Sequence, residues 1–409
     1  MRPLVTVRAK NFRSLRDVEV ELQPLNVLVG PNASGKSNFL DLIAFLGDAV
    51  HEHLRPAIER RGGFEHVAFR GGARQTQART VEITVEAIVT RYASDKARDA
   101  YTLRFSEGKV LRRPSGRAMA VLRRDEEFRF KRTQGSGRRL TINGTKFTVY
   151  DTSKDTPRKG KQKSENLLQK ESLGLSTLPR LAPERGGEQV GKIADLFSTF
   201  RVFDVDVPAA RLPSALDRGE KLQPDAGNLA AFLHELSRDA DLFRDLEDDA
   251  RAMIPGLERI HFRPVGGAEE AVAVELEERA LRGRTSLADA SYGSIRALAL
   301  LAMIYDPAPP RLTCVEEIDH GLHPYVFDRL VERLRDASSR TQFLVVTHSP
   351  ALVNRLRASE LIICERNQET GETLIPAADP EEVRKIEKKL AGKMGLGELW
   401  FSGTLGGTP

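Results

Sequence analysis

The sequence has 409 residues, of which 40% are hydrophobic and 30% are charged, so it is long enough and apolar enough to bury a sizeable core. This composition excludes a disordered chain. The longest uninterrupted apolar run, residues 297–305, covers nine residues, whereas a membrane-spanning helix needs about 20. No segment is therefore predicted to cross a membrane.

The N-terminus and the cysteines indicate a cytoplasmic protein. The opening segment MRPLVTVRAKNFRSL has no apolar signal core. The two cysteines, Cys314 and Cys364, each lie in an apolar stretch typical of a buried strand. We expect them to be core thiols rather than redox or metal-binding groups.

The N-terminal segment predicts two paired strands followed by a strand, a glycine-rich loop and a helix. Residues 3–9 and 17–22 have the apolar pattern of strands, and LNVLVG (25–30) predicts a buried strand that enters the loop. After Lys36, apolar residues recur at three- and four-residue spacing, which predicts an amphipathic helix. Its apolar residues are Phe39, Leu42, Ile43, Leu46 and Val50.

A basic segment follows. Residues 81–149 show period-2 alternation broken by turns such as Asn143-Gly144, which predicts an antiparallel meander. Residues 91–170 contain 22 Lys and Arg against 9 Asp and Glu, so the rest of the chain is acidic overall. Such a block is typical of proteins that bind nucleic acid or another polyanion. Solvated loops and expression bias also produce basic runs.

The remaining chain predicts a loop, helices and then alternating strands and helices. Residues 151–166 lack apolar side chains that could anchor them in a core, and we predict a flexible loop there. Residues 228–254 have a helical pattern. In the last third, RLTCVEEI, TQFLVVTH and ELIICERN predict strands and HPYVFDRLVERLRDASS predicts a helix. The simplest architecture is a parallel sheet covered by helices.

The glycine-rich loop, GPNASGKS at residues 30–37, matches the pattern Gly-x-x-x-x-Gly-Lys-Ser. Its backbone N–H groups and the helix N-terminus can bind a polyphosphate, while Lys36 neutralises the β and γ phosphates and the Ser37 hydroxyl ligates magnesium. An empty glycine turn is the alternative. The strand before the loop and the helix after it favour the phosphate site.

Candidate catalytic residues follow two predicted strands. Glu316 and Glu317 come directly after LTCV, and we predict Glu316 for the metal shell and Glu317 as the general base or water-orienting group. Two solvated loop glutamates are the alternative. His348 ends the next strand, and parallel neighbouring strands bring such residues to one sheet edge, where open α/β sheets bind ligands. A lone histidine there is more often a polar cap.

The order GPNASGKSN, SYGSIRAL, CVEEIDHGLHP and VVTHSP resembles the ABC-type ATPases of the RecF, SMC and OLD (overcoming lysogenization defect) group. It is most similar to compact ATPases with an OLD-like head. The resemblance implies that Glu316 and Glu317 occupy the Walker B positions, that residues 321–324 form the D-loop and that His348 is the switch histidine. The Walker A residues that it implies are Gly30, Pro31, Asn32, Ala33, Ser34, Gly35, Lys36, Ser37 and Asn38.

Residues 291–294 match the ABC signature of this group. The resemblance implies that the Ser291 hydroxyl and the Gly293 N–H contact the γ-phosphate of a nucleotide held by the other protomer. Gly293 opens a predicted helix, and the field at a helix N-terminus suits an anion. Without the other motifs, this segment would be an ordinary helix start.

Three positions depart from the group. Ile318 stands where the group usually has proline, and Asp319 where it usually has glutamate. Glu316 replaces the aspartate of most ABC proteins, although the OLD-like branch often has paired glutamates. These departures concern the rate of hydrolysis more than the fold.

Two elements of the group have only candidates in this sequence. Gln75 and Gln77 are candidates for the Q-loop. Phe12 and Arg13 are candidates for the adenine contact.

The predicted fold class is α/β: a P-loop NTPase of the ABC-type ATPase head with an antiparallel β subdomain and an inserted helical lobe. The predicted units are a core (1–90 and 285–409), a basic antiparallel β subdomain (81–150), a flexible loop (151–170) and a mainly helical lobe leading to the signature (171–284).

The resemblance implies a homodimer that sandwiches two ATP molecules with Mg²⁺ and hydrolyses ATP. Related clamps act on double-stranded DNA, for which the basic segment is the candidate surface. OLD nucleases carry a Toprim module, but the 60 residues after Ser349 are too few for it. We therefore expect no nuclease activity in this chain.

Two roles and one alternative class remain open. The protein acts in DNA repair or maintenance, or it is the ATPase sensor of a phage-defence system with a separate nuclease or effector. The alternative is a slowly hydrolysing, nucleotide-gated scaffold that binds a protein effector. Glu317 argues against that alternative, because a pure switch does not need a base.

Overall fold

The structure is a computed structural model that describes residues 2–71, 78–112, 118–134, 137–152, 163–166, 172–266, 270–390 and 393–405. The strands are β1 (Leu4–Phe12), β2 (Leu15–Glu21), β3 (Leu25–Val29), β4 (Thr80–Ala87), β5 (Asp99–Arg112), β6 (Ala118–Phe130), β7 (Gly137–Asn143), β8 (Lys146–Thr152), β9 (Lys163–Asn166), β10 (Arg201–Phe203), β11 (Ser214–Ala215), β12 (Leu257–Val265), β13 (Ala271–Glu278), β14 (Arg284–Ser286), β15 (Leu312–Val315), β16 (Gln342–Val346), β17 (Leu361–Ile363), β18 (Glu365–Arg366) and β19 (Thr373–Leu374).

The helices, in chain order, are α1 (Lys36–Glu52), α2 (Leu54–Glu59), α3 (Phe64–Val67), α4 (Gly174–Thr177), α5 (Gly187–Ser198), α6 (Val207–Ala210), α7 (Leu229–Leu236), α8 (Ala240–Met253), α9 (Tyr292–Ile304), α10 (Phe327–Ala337), α11 (Pro350–Val353), α12 (Pro380–Leu390) and α13 (Leu396–Phe401). Among these helices of the described residues, none is long and apolar enough to cross a membrane.

A five-stranded sheet with the order β10-β15-β16-β3-β17 lies at the centre, and its neighbouring strands are parallel. Successive side chains of a strand face opposite sides of a sheet. Accordingly, Val27 and Val345 belong to the hydrophobic core on one side, whereas Leu28 and Leu344 belong to the core on the other. The predicted parallel sheet is confirmed, and all its strands are buried on both faces except β10.

The central sheet also contains the two cysteines. Cys314 and Cys364 are free and buried, and burial raises the pKa of each thiol. Protonated, buried thiols behave as small apolar groups. The prediction of core thiols is confirmed.

The predicted meander forms an antiparallel sheet with the order β2-β1-β4-β5-β6-β7-β8-β9. The paired strands at the N-terminus are confirmed as β1 and β2. They continue the same sheet, because β1 pairs with both β2 and β4. The basic segment is therefore not a separate subdomain, which corrects the division at residue 81.

The predicted flexible loop over 151–170 also needs correction. Thr152 ends β8, and residues 163–166 form β9, which pairs antiparallel with β8. Hydrogen bonds along that edge compensate for the lack of apolar side chains. The other residues of the predicted loop, 153–162 and 167–170, lie outside the described residues.

Residues 171–284 contain the helices that we predicted, but they also contribute strands to two sheets. α7 and α8 confirm the helical pattern of residues 228–254, but β10 belongs to the central sheet. β12 and β13 pair along eight register positions in a second antiparallel sheet with β11 and β14. Their alternation was a readable signal, since Val272, Val274 and Leu276 share the buried face. β10 is only three residues long and leaves no periodic pattern.

α9 and α10 cover one face of the central sheet. α9 is buried along nearly its whole length, and α10 is amphipathic with Leu330, Val331 and Leu334 in the same core. α1 covers the opposite face together with the antiparallel sheet. Because the strands between them are parallel, the loops that follow β3, β15 and β16 meet at one edge.

Candidate nucleotide site

The loop between β3 and α1 is held in the conformation of a phosphate-binding loop by two glycines with positive φ. Gly30 has φ 157° and Gly35 has φ 103°. A Cβ at Gly30 would collide with the carbonyl of Cys364, and one at Gly35 with the hydroxyl of Thr373. Only glycine meets both requirements at these positions.

A short hairpin, β18–β19, supports this loop from outside. The Thr373 hydroxyl donates to the carbonyl of Ser34 at 2.9 Å and lies 2.7 Å from the Ser14 hydroxyl. The Asn38 amide donates to Ser14 at 2.6 Å. These buried contacts join β1–β2, α1 and β19, and our sequence reasoning missed Ser14 and Thr373 because no motif marks them.

Lys36 is buried inside the loop. Its ammonium group donates to the carbonyls of Gly30 and Pro31 at 2.8 Å and to the Ser34 hydroxyl at 3.3 Å. Burial lowers the pKa of Lys36 to about 8, against a smaller opposing effect of nearby Glu317. A bound polyphosphate would provide the negative charge that the buried ammonium lacks.

Ser37 and Glu316 face each other. The Ser37 hydroxyl donates to a Glu316 carboxylate oxygen at 3.4 Å. The pKa of Glu316 is raised, first by burial and then by the neighbouring charges of Asp204, Glu317 and Asp41. A divalent cation between Ser37 and Glu316 would offset this repulsion, so the donor set fits Mg²⁺.

The protein ligands alone are too few for a metal cage. Among the described residues, no group of three or more His, Cys, Asp and Glu side chains could hold a metal ion. Mg²⁺ usually keeps several waters and binds through one or two protein ligands plus substrate phosphates. Ser37 and Glu316 are therefore consistent with a magnesium site completed by a nucleotide.

Asp204 is an acidic residue at this edge that sequence reasoning missed. It directly follows β10, and the Glu316 N–H donates to the Phe203 carbonyl at 3.0 Å, which places the two strand ends side by side. Asp204 raises the pKa of Glu316 through its charge. The segment RVFDVD contains the signal, an acid after an apolar strand, but we assigned it to a helical lobe.

Glu317 leaves the strand in an unusual backbone conformation. Its φ is 46°, in the left-handed region. Its carboxylate is 57% exposed and lies 3.6 Å from the His320 ring. It affects the pKa values of Lys36 and Glu316 through its charge, so it lies near the phosphate-binding loop, as predicted.

His348 is half-buried beside the same loop. Burial lowers its pKa most, followed by the charge of Lys36, while Asp319, Glu317 and a hydrogen bond with the Gly30 backbone oppose this. A neutral imidazole beside the P-loop can donate a hydrogen bond without adding charge. The predicted meeting of His348 with the Walker A and Walker B residues agrees with these contacts.

The two departures next to the Walker B position have structural roles. Ile318 is fully buried, and its N–H donates to the Val346 carbonyl at 3.1 Å. The Thr347 hydroxyl donates to the Asp319 carboxylate at 2.5 Å. Both contacts join the end of β15 to the end of β16, so Asp319 holds the residue that precedes His348.

The signature residues lie at the start of α9. Ser291 is its N-cap and accepts from the Ser294 N–H at 3.1 Å. The helix begins at Tyr292, one residue before the predicted Gly293. The Tyr292 ring lies 5.4 Å from the His320 ring, so the signature contacts the D-loop region of its own chain. Among the described residues, no hydrogen bond joins Ser291 or Gly293 to the P-loop.

A cavity of about 280 Å³ lies beside the P-loop. It is lined by Arg13, Ser14, Asn38, His66, Ala68, Phe69, Arg70, Gly71, Arg366 and Gly371. Arg13 lines this cavity and pairs with Asp41 at 2.7 Å, whereas Phe12 is fully buried against Phe45. The proposal of Phe12 as an adenine contact is wrong. Gln75 and Gln77 lie outside the described residues.

The phosphate-binding loop after β3, the carboxylates after β15 and the histidine after β16 share one edge of a parallel sheet. This arrangement defines the class of the protein, a P-loop NTPase with an ABC-type ATPase head. The chain belongs to the family described as "AAA domain, putative AbiEii toxin, Type IV TA system", whose model matches residues 25–354.

Two solved structures have the same fold. One is an Smc head bound to the C-winged helix domain of ScpA, with 14% identity, a TM-score of 0.53 and coverage of 91% of this chain and 97% of that chain. The other is a Pyrococcus furiosus Smc head with an extended coiled coil, bound to the C-terminal domain of ScpA, with 13% identity, a TM-score of 0.53 and coverage of 95% and 100%. The sequence has no significant match among curated proteins.

Proposed function

We propose that the protein binds MgATP and hydrolyses it to ADP and phosphate. The observation that carries the proposal is the meeting of Lys36, Ser37, Glu316, Glu317 and His348 at one edge of the central sheet. Phosphoryl transfer depends mainly on positioning and charge stabilisation, and these residues supply both.

Each residue has a separate role in this proposal. Lys36 binds the β and γ phosphates, and Ser37 and Glu316 hold Mg²⁺, which neutralises phosphate charge when bound. Glu317 accepts a proton from the attacking water, or orients it. His348, which follows β16, contacts the γ-phosphate.

The active form in this proposal is a homodimer. Ser291 is exposed at the N-terminus of a 13-residue helix, and no hydrogen bond of the described residues joins it to its own P-loop. A helix N-terminus attracts anions. Ser291 and Gly293 would therefore contact the nucleotide held by a second copy, which makes dimerisation dependent on ATP.

We place the protein in the cytoplasm. The first candidate partner is double-stranded DNA. The surplus of Lys and Arg over residues 91–170 supports it. DNA repair or maintenance is one role. The other is sensing in phage defence with a separate nuclease or effector, and the family description, which names a type IV toxin–antitoxin system, is in line with it.

The second candidate is a slowly hydrolysing, nucleotide-gated scaffold that binds a protein effector. Arg104 pairs with Glu82, and Arg129 and Arg139 pair with Glu127. These ion pairs neutralise part of the positive charge on the exposed face of the antiparallel sheet, which weakens its attraction for DNA. The two Smc heads above were solved with a protein partner, ScpA.

One experiment tests the ATPase proposal and separates the two partners. Steady-state hydrolysis of MgATP is measured with and without double-stranded DNA at two salt concentrations, with Lys36→Ala as the inactive control. A rate above that of the control supports the ATPase proposal. A salt-sensitive increase of the rate with DNA supports double-stranded DNA as the partner. A low rate that DNA does not change supports the scaffold, and a rate equal to that of Lys36→Ala contradicts the ATPase proposal.

A further inference from the structure

Arg296 is a buried cation on α9, one and a half turns after the signature serine. Only 2% of the Arg296 surface is exposed. One terminal nitrogen donates to the carbonyls of Glu316 and Glu317 at 3.1 and 2.5 Å, and the other donates to the carbonyl of Val205 at 3.4 Å. Arg296 therefore binds the ends of β10 and β15 at the same time.

The partners of Arg296 are backbone carbonyls rather than a carboxylate. Within the described part of the chain, Arg296 forms no ion pair, and its Nε has no acceptor. Burying a charge without a counter-ion carries a large desolvation cost, which an apolar side chain of similar size would avoid. Stability alone therefore does not account for an arginine at this position.

What Arg296 holds is the strained turn that carries the candidate base. Glu317 has φ 46°, in the left-handed region, where a residue with a Cβ is strained. The Glu317 carbonyl accepts from Arg296 and, at 2.9 Å, from the His320 N–H. These two donors favour the one backbone conformation in which Glu316 and Glu317 leave the strand as they do.

We propose that Arg296 is a positioning residue that couples the signature helix to the two carboxylates of the same chain. By fixing the carbonyls of Glu316 and Glu317, it aims one carboxylate at Ser37 and the other at the attacking water. A displacement of α9 when Ser291 contacts a nucleotide is then transmitted directly to both carboxylates. The inference rests on the ATPase function proposed above.

A control for the loss of guanidinium–carbonyl hydrogen bonds lies at the opposite end of α9, where Arg340 is exposed rather than buried. The Arg340 guanidinium donates to the carbonyls of Ile304 and Asp306 at 2.9 and 2.8 Å. Arg340 thus also binds backbone carbonyls of a neighbouring element. Its partners lie at the C-terminal end of α9, far from the two carboxylates. Replacing either arginine by methionine removes similar hydrogen bonds, and only Arg296 contacts the catalytic turn.

The experiment compares Arg296→Met, Arg296→Lys and Arg340→Met with the wild type for kcat, KM for ATP, ATP affinity and Tm. We expect kcat of Arg296→Met to fall about 100-fold, the loss typical of a removed electrostatic or orienting contact, with ATP affinity within about threefold. Arg296→Lys should recover part of the loss. Arg340→Met should lower Tm with kcat within about threefold of the wild type.

Further comparisons separate positioning from folding. If Arg296 acts through the two carboxylates, adding Arg296→Met to Glu317→Gln will lower kcat by clearly less than the about 100-fold loss in the wild-type background, because only the positioning of Glu316 remains to be lost. The inference is overturned if Arg296→Met keeps kcat within threefold of the wild type, or if Arg340→Met loses as much kcat as Arg296→Met, because the loss would then follow from destabilisation alone. A wild-type rate no higher than that of Lys36→Ala would instead overturn the ATPase proposal, and this inference with it.

Discussion

The hydroxyl of Ser37 lies 3.4 Å from a carboxylate oxygen of Glu316, although 279 positions separate the two residues in the sequence. Ser37 belongs to the first turn of α1, and Glu316 directly follows β15. In the sheet, β16 lies between β3 and β15 and is parallel to both, so the ends of β3 and β15 that lead to Ser37 and Glu316 lie at the same edge. This contact connects the phosphate-binding loop to the carboxylates.

The first prediction concerns this pair. Glu316→Gln keeps the shape of the side chain and removes its charge, so we expect the Mg²⁺ concentration for half-maximal hydrolysis to rise and kcat to fall about 100-fold or more. ATP hydrolysis measured across a Mg²⁺ titration checks this. Glu332→Gln, an exposed substitution on α10, is the control. An unchanged Mg²⁺ dependence in Glu316→Gln would remove Glu316 from the metal site.

The second prediction concerns the candidate base. Glu317→Gln should bind ATP with nearly wild-type affinity and hydrolyse it about 10²–10⁴-fold more slowly, because general base catalysis contributes about that factor. Trapped ATP should also increase the dimer fraction, which light scattering or sedimentation will report. Hydrolysis at the wild-type rate would show that another group activates the water.

Much of this site could be predicted because its parts are local in sequence. The glycine loop lies between a strand and a helix, and the carboxylates and the histidine each directly follow an apolar strand. Such patterns indicate which groups reach the carboxyl edge of a parallel sheet without knowledge of the full topology. Lys36, Glu316 and His348 were found in this way.

The missed residues depend on contacts between segments far apart in the sequence. Asp204 follows a three-residue strand too short for a periodic pattern, and Thr373 reaches the P-loop from the far end of the chain. Arg296 stands in an apolar helix where only its burial beside the Walker B carbonyls shows its role. Phe12 was misjudged for the related reason that the sequence does not show which face of β1 is covered.

The third prediction separates backbone strain from steric collision in the P-loop. Gly35 (φ 103°, ψ 10°) and Gly186 (φ 89°, ψ 10°) have nearly the same left-handed backbone, but a Cβ at Gly35 would lie 1.9 Å from the Thr373 hydroxyl, whereas one at Gly186 would meet only the ends of two side chains at 3.2 Å. Gly186→Ala should therefore cost mainly the left-handed backbone term, about 1–2 kcal/mol. Gly35→Ala should destabilise the protein more and abolish ATP binding. Denaturant unfolding and ATP titration check both, and equal losses would contradict the collision.

The last prediction follows from the buried ammonium of Lys36, whose pKa is lowered from 10.5 to about 8. Phosphate binding needs the charged form, which falls to roughly one molecule in ten at pH 9, so ATP affinity should drop about tenfold between pH 7 and 9. The nucleotide-free protein should change in the opposite direction. Its unfolded state binds more protons between about pH 8 and 10.5, so stability rises with pH there. Calorimetric titration and unfolding at each pH measure both trends. Lys36→Met should show neither trend. A wild-type ATP affinity that does not change from pH 7 to 9 would contradict the lowered pKa.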